Sequence, residues 1–107
     1  MKFQVHITED AEQDLDGIYS YVARNDSESK ADSLLLSIEE VCFSISDFPR
    51  RGHVPPELEK LSIFNYLEVH FKPYRIIYQT ISSRVYIHCI LDGRRDLSEL
   101  LHKRLLR

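Results

Sequence analysis

The sequence predicts an α+β fold, in which an antiparallel pair of helices packs on one face of a mostly antiparallel four-stranded sheet. Residues 66–91 hold three apolar, β-branched runs separated by Lys72-Pro73 and Ser82-Ser83, which is typical of a three-stranded meander. Residues 9–46 instead repeat apolar side chains at helical spacing. The 107 residues are the size of one domain, which we take to span 1–107.

The first strand and first helix are predicted from alternation and capping. Apolar and polar residues alternate over 2–7, which indicates a half-buried strand that joins the meander. Thr8 is a good N-cap, and three acidic residues follow in the first turn, where they complement the helix dipole. We expect this helix to have about four turns and to end near Arg24-Asn25.

The second helix has the strongest helical pattern in the chain. It is capped by Asp26 or Ser27 and runs from about 27 to 46. One continuous stripe carries its apolar side chains: Ala31, Leu34, Leu35, Ile38, Val41, Cys42 and Ile45. Because the break before it is short, the two helices should form an antiparallel hairpin that packs on the core face of the sheet.

Two-residue loops in the meander would place Phe71 opposite Tyr74 and Ile81 opposite Arg84. Side chains alternate along a strand, so this register defines two faces. The core face collects Leu67, Val69, Phe71, Tyr74, Ile76, Tyr78, Val85, Ile87, Cys89 and Leu91. The other face, which we expect to be open, collects Glu68, His70, Arg75, Ile77, Gln79, Tyr86, His88 and Ile90, with His70 across from Arg75.

The remaining segments are a loop and a short helix. Residues 47–65 hold three of the four prolines and one glycine, which predicts a loop, with a short turn at 57–61. Its basic character comes from Arg50, Arg51, His53 and Lys60. After Asp92-Gly93, Asp96 is a candidate N-cap for an amphipathic helix, with Glu99 completing a capping box.

Charge is segregated along the chain. Residues 9–40 carry ten acidic side chains against two basic ones, whereas residues 50–107 carry eleven basic against six acidic. A basic half suits an acidic partner or a phosphate backbone, and solvation alone accounts for the acidic half. No apolar run approaches the roughly 20 residues of a membrane span, and no signal peptide is recognisable, so we expect a cytoplasmic protein with Cys42 and Cys89 buried as thiols.

Four motifs, in this order, resemble the RelE/ParE superfamily of toxins from bacterial toxin–antitoxin pairs. Residues 11–21 resemble its "A..DL..I..Y" helix, and Phe48-Pro49-Arg50-Arg51-Gly52 its "P..G" loop. Tyr74-Arg75-Ile76-Ile77-Tyr78 resembles its "YRI.Y" strand. Residues 90–97 resemble its final "I.H.R.D" segment, with Asp92 in place of the common histidine.

The resemblance implies two alternative activities. RelE-like members are ribosome-dependent endoribonucleases, which need a base, an acid and a cation for the phosphorane charge. A nuclease built on this chain would use His70, Arg75, His88 and Arg95 (or Arg94). However, this chain has Leu101 near the position of the family's late tyrosine. The family also implies a basic pair just before the meander, where the nearest lysine here is Lys60.

These departures, together with the helical C-terminus and net charge of −3, favour the ParE side, whose members inhibit DNA gyrase and have no nuclease activity. We therefore expect a toxin that binds gyrase and forms a hetero-oligomer with a cognate antitoxin, without cofactor or metal. The expected partner-binding residues are Arg50, Arg51, Arg75, Arg94, Arg95, His102, Lys103 and Arg104. The rivals are the ribosome-dependent nuclease acting on mRNA and a degenerate member that only binds its antitoxin.

Overall fold

The computed structural model describes residues 2–94 and 96–106. The elements, in chain order, are β1 (Gln4–Ile7), α1 (Glu9–Asn25), α2 (Glu28–Ser44), α3 (Pro56–Glu59), β2 (Leu67–Phe71), β3 (Tyr74–Ile81), β4 (Arg84–Asp92) and α4 (Ser98–Leu105). The predicted order of strand, helix pair, loop, meander and short helix is confirmed. None of the helices in the described part of the chain is both long and apolar enough to cross a membrane.

The four strands form one sheet in the order β1-β4-β3-β2. β1 runs parallel to β4, and the other pairs are antiparallel. Both predicted hairpin registers are confirmed, since Phe71 pairs with Tyr74 and Ile81 with Arg84. The Lys72–Pro73 peptide is cis, the isomer found in type VI turns with proline at the third position.

Both long helices begin at the predicted caps. The Thr8 side chain accepts a hydrogen bond from the backbone N–H of Ala11, and Ser27 does the same for Lys30. Ser27, rather than Asp26, is therefore the cap of α2. The short turn predicted at 57–61 is α3, which begins one residue earlier, at a proline in the first helical position.

The first face of the sheet packs against the helix hairpin, as predicted. Its core includes Ala11 and Leu15 of α1, Ile38 and Cys42 of α2, and side chains from all three meander strands. The strand contribution is fully or almost fully buried: Val69, Ile76, Tyr78, Val85, Ile87 and Ile90. Burial of this apolar surface is the main term that stabilises the fold.

A bulge in β4 makes part of the predicted face assignment wrong. Ile77 pairs with Cys89, but the next residue, Tyr78, pairs with Ile87, so β4 contains one extra residue at this point. The alternation shifts by one place beyond the bulge. Ile90 therefore joins the first face, whereas Cys89 and Leu91, which simple alternation put in the core, lie on the second.

The second face is not open, contrary to the prediction. α4 packs on it, and Leu97 and Leu101 bury Ile77, Cys89 and Leu91 in a second apolar cluster. By covering this patch, α4 removes its apolar side chains from water. Simple alternation along the strands does not predict this cover. The helix begins at Ser98, so Leu97 and not Asp96 is its N-cap, although the Asp96 carboxylate accepts the Ser98 N–H at 2.9 Å.

The two cysteines are buried free thiols, as predicted. Cys42 lies in the first core, and Cys89 lies in the second. Burial raises the pKa of each thiol to about 12, so both are neutral and unreactive near pH 7.

Candidate functional site

An ion cluster centred on Arg75 occupies one end of the second face. The Arg75 guanidinium donates to both carboxylate oxygens of Glu57, at 2.6 and 2.7 Å. It also donates to Glu68, with Nε 2.6 Å from Oε1 and Nη2 3.1 Å from Oε2. Two bidentate carboxylates therefore accept four hydrogen bonds from the five N–H donors of this arginine.

Three elements position this cluster. Glu57 lies on α3, Glu68 lies on β2, and Arg75 lies on β3 across from His70. Gly93 packs against the stem of Arg75, where an added Cβ would lie 2.7 Å from two of its side-chain carbons. A glycine is required at this turn because no side chain fits beside the arginine.

Charge pairing shifts the ionisation of the cluster. Hydrogen bonding to Arg75 lowers the pKa of Glu57, and the same contact is the largest cause of a raised pKa at Arg75. The Glu68 side chain is only 1% exposed, and the Arg75 side chain is 12% exposed. Ions this deeply buried need partners, because an unpaired buried charge costs several kcal/mol.

Two histidines complete the cluster from the solvent side. His53 Nε2 lies 3.2 Å from Glu68 Oε2, and His70 Nε2 lies 3.2 Å from Oε1. Their rings meet edge to face at 5.2 Å. His53 is also tied to β2 through its backbone, which exchanges two hydrogen bonds with the backbone of Glu68 and so covers the outer edge of that strand.

A second polar junction closes the opposite edge of the sheet. β1 pairs with residues 84–87, and among the described residues no strand lies beside the following residues of β4 on that side. The Asp14 carboxylate accepts the Ile90 N–H at 3.0 Å, and Arg104 donates to the His88 carbonyl at 2.8 Å. Asp14 and Arg104 also pair at 3.0 Å, which joins α1, β4 and α4.

Tyr78 anchors the proline-rich loop to the sheet. Its hydroxyl, fully buried, donates to the Pro49 carbonyl at 2.8 Å and accepts the Gly52 N–H at 3.2 Å. A Cβ on Gly52 would lie 2.6 Å from the Glu68 carbonyl oxygen, so glycine is needed for this close approach. Burial is the largest cause of the raised pKa of Tyr78.

Two of the residues of the nuclease alternative, His70 and Arg75, meet at Glu68, but His88 lies apart from them. His88 is half-buried beside Gln79, 3.1 Å from its side-chain oxygen, and burial lowers its pKa. Gln79 lies four residues along β3 from Arg75, which is about 13 Å in a strand. Ile77, covered by α4, lies between them, and Arg95 lies outside the described residues.

The expected partner-binding residues divide into two groups. Arg75 and Arg104 are occupied by internal ion pairs, so we remove them from the candidates. The exposed members are Arg50, Arg51, Arg94, His102 and Lys103. Arg94 pairs with Asp92 but keeps 73% of its side chain accessible to solvent.

Sequence reasoning missed several members of the two junctions. Glu57 and His53 were assigned only to a loop, and Asp14 only to a helix motif. Glu68 was placed on the correct face without a role. Alternation with Leu67 and Val69 predicts an exposed Glu68, and no local pattern indicates its burial, because Glu57 and His53 of the same cluster lie in a segment that precedes the strand.

A groove lies between α1 and the ends of β3 and β4. Its volume is about 590 Å³, and Gly17 leaves open space in its α1 wall. Tyr21, 64% exposed, stands on the groove beside Tyr74 and Arg94. The groove thus offers an aromatic and apolar lining with charged groups at its rim.

This arrangement of elements is that of the RelE/ParE superfamily of toxins. A chain of the chromosomal ParDE TA system from P. aeruginosa is similar over 83% of this chain and 94% of its own, with a TM-score of 0.70 and 18% identity. A chain of the toxin–antitoxin complex RelBE2 from Mycobacterium tuberculosis is similar over 86% of this chain and 92% of its own, with a TM-score of 0.63 and 20% identity.

Sequence comparison defines the family more narrowly. Residues 5–97 match the model of the ParE toxin of the type II toxin–antitoxin system parDE. Toxin ParE3 of Caulobacter vibrioides is 33% identical over 95 residues, which cover 85% of this chain and 87% of that protein. The chain belongs to the ParE family of type II toxin–antitoxin toxins.

Proposed function

We propose that this toxin acts by binding and inhibiting DNA gyrase rather than by cleaving RNA, and that a cognate antitoxin neutralises it. The observation that carries the proposal is the engagement of Arg75 by two carboxylates. An arginine that stabilises a phosphorane must direct its donors at the phosphate. Here they are directed at Glu57 and Glu68.

The surroundings of Arg75 also oppose a phosphate. Glu57 and Glu68 together carry two negative charges against one positive charge, so an incoming phosphate would meet a net negative site. Leu101, where a RelE-like protein would carry its late tyrosine, is fully buried in the second core and transfers no proton. Both features support a protein that acts by binding.

The exposed cations supply a surface for the target. Arg50 and Arg51 follow α2, Arg94 follows β4, and His102 and Lys103 project from α4. Exposed cations of this kind set the rate and orientation of docking on a negatively charged partner more than its affinity. We assign gyrase binding to Arg94, Lys103 and the neighbouring Arg95.

The groove between α1 and the sheet supports an antitoxin site. An amphipathic segment of the antitoxin would bury apolar side chains against Tyr21 and Tyr74 and place polar ones at the rim. Because α4 already covers the second face, we place the antitoxin in this groove and not on that face. The antitoxin would still contact α4 at its exposed side.

The test is a pair of assays on the purified protein: DNA supercoiling by gyrase, and cleavage of mRNA on translating ribosomes. We expect inhibited supercoiling with intact mRNA. Arg94→Ala and Lys103→Ala together should weaken inhibition by about tenfold, in keeping with the loss of two surface contacts. Arg84→Ala, another exposed arginine at the start of β4, is the matched control and should inhibit normally.

Each other result has a definite meaning. Cleaved mRNA would overturn the proposal and return the site to the second face, in a conformation that frees Arg75. If neither assay responded, while the antitoxin still bound, the chain would be a degenerate member that retains only its partner. If the protein inhibited gyrase and the double variant with Arg94→Ala and Lys103→Ala inhibited it equally well, gyrase would remain the target but would bind a different surface of the toxin.

A further inference from the structure

Three metal-ligating side chains converge at the solvent side of the Arg75 cluster. His53 and His70 each offer a ring nitrogen and Glu68 offers a carboxylate oxygen, and these three atoms lie within 4.8 Å of one another. Neither histidine forms part of the proposed gyrase or antitoxin surface. The group therefore stands apart from the functions considered so far.

The distances fit a tetrahedral ion. Zinc binds nitrogen and oxygen donors at about 2.0–2.2 Å, which separates neighbouring ligands by roughly 3.4 Å in a tetrahedron. Oε2 of Glu68 lies 3.2 Å from His53 Nε2, and Oε1 lies 3.2 Å from His70 Nε2. Small rotations of two exposed rings would complete the geometry without a change in the backbone.

The local charge favours a cation. Glu57, Glu68 and Arg75 sum to one negative charge, and Glu68 is 1% exposed. A divalent ion bound by neutral imidazoles would supply positive charge on the side of Glu68 that faces away from Arg75. The guanidinium would then orient the ligating carboxylate, the role that hydrogen-bonded outer groups have in metal sites.

The backbone holds the donors in place. Glu68 and His70 lie two residues apart on β2, so they share a face. His53 comes from the distant loop but is bonded to Glu68 at both its N–H and its C=O, at 3.1 and 2.7 Å. The two histidine side chains are 60% and 44% exposed, which leaves a path for an ion and a place for a water ligand.

We propose that His53, Glu68 and His70 form a binding site for a divalent transition-metal ion of the zinc class. The ion would take two imidazole nitrogens and one carboxylate oxygen, with solvent in the fourth position. It would fasten the loop that holds His53 to the edge of β2. This differs from the expectation in the sequence analysis that the toxin binds no metal.

The test uses the full chain without a polyhistidine tag, titrated with Zn²⁺ by calorimetry at pH 7.5. We expect one ion per chain and a higher thermal unfolding temperature, since binding to the folded state alone stabilises it. His53→Ala and His70→Gln should each raise the dissociation constant by at least about tenfold. His102→Ala, at an exposed histidine on α4, should bind normally.

Spectroscopy of the unaltered chain provides an independent readout. Co²⁺ in a four-coordinate site of this type should give intense visible bands, and Zn²⁺ should remove them in one equivalent. No bands and no binding below millimolar Zn²⁺ would overturn the proposal. Binding that survived both His53→Ala and His70→Gln would also overturn it, because the ion would then occupy another part of the surface.

Discussion

The two faces of the sheet are built by different physical means. The first face buries a continuous apolar surface against α1 and α2, and alternation predicts most of the strand residues in it. The second face combines a smaller apolar cluster under α4 with ion pairs at both ends. Apolar packing tolerates exchange of similar side chains, whereas a buried ion pair depends on each individual partner.

The comparison also shows which basic side chains are paired inside the fold and which are exposed. Two of the cations that make the second half of the chain basic, Arg75 and Arg104, form ion pairs inside the fold. Those that remain exposed lie at the rims rather than at the centre of the face. A basic sequence segment therefore did not produce a basic sheet surface.

The largest expected effect is loss of Arg75. Arg75→Ala leaves Glu68 buried without its main partner, which should lower the free energy of unfolding by about 3–5 kcal/mol. Ile76→Ala, one residue further on the opposite face and fully buried, should cost a similar 2–5 kcal/mol, roughly, through cavity formation. Urea unfolding of both variants measures whether the two faces contribute equally.

Arg84→Ala is the control for this pair, because Arg84 is exposed on the same sheet and should change stability by no more than about 0.5 kcal/mol. A loss below roughly 1 kcal/mol for Arg75→Ala would mean that the ion cluster is peripheral. The two faces would then differ in chemistry, but the ion cluster would contribute little to the free energy of unfolding.

A smaller effect is expected at the other junction. Asp14→Asn keeps an oxygen for the Ile90 N–H but removes the charge that pairs with Arg104, and should cost about 2 kcal/mol. Asp16→Asn, at an exposed neighbour on α1, should be neutral. If hydrogen exchange at the Ile90 amide is slow in both variants, the hydrogen bond from Ile90 to residue 14 survives. The loss of stability then comes from the ion pair with Arg104.

The smallest effect concerns pH. The pKa of Glu57 is lowered in the folded state, mainly by its hydrogen bonds to Arg75. Its contribution to stability is therefore complete above the ordinary value of 4.5 and is lost as pH falls through the lower, folded-state pKa. The stability difference between the unaltered chain and Glu57→Gln should be constant near neutrality and shrink below pH 4.5. A difference that grew on acidification would contradict this sign.

The motifs that carry the family resemblance contain residues that hold separate elements of the fold together. Asp14 of the first helix motif holds the bulged strand and α4. Tyr78 of the strand motif bonds Pro49 and Gly52 of the loop motif. The motif positions thus explain why the fold is recognisable from the sequence, and they explain less about which target the toxin binds.

The sequence by itself determined the local elements and the first core. Capping residues defined the start of α1, and alternation with short loops defined the strand register near both hairpins. These features depend on neighbours within a few residues, so their physical causes are visible in the chain order.

Only the tertiary structure decided the second face. The bulge, the burial of Leu101 and the pairing of Arg75 with Glu57 join segments that lie outside one another's local sequence, and Asp14 meets Arg104 from the two ends of the chain. Such contacts form because buried ions and unpaired strand edges need partners of complementary chemistry. The chain order records the charges of those partners but not which of them meet.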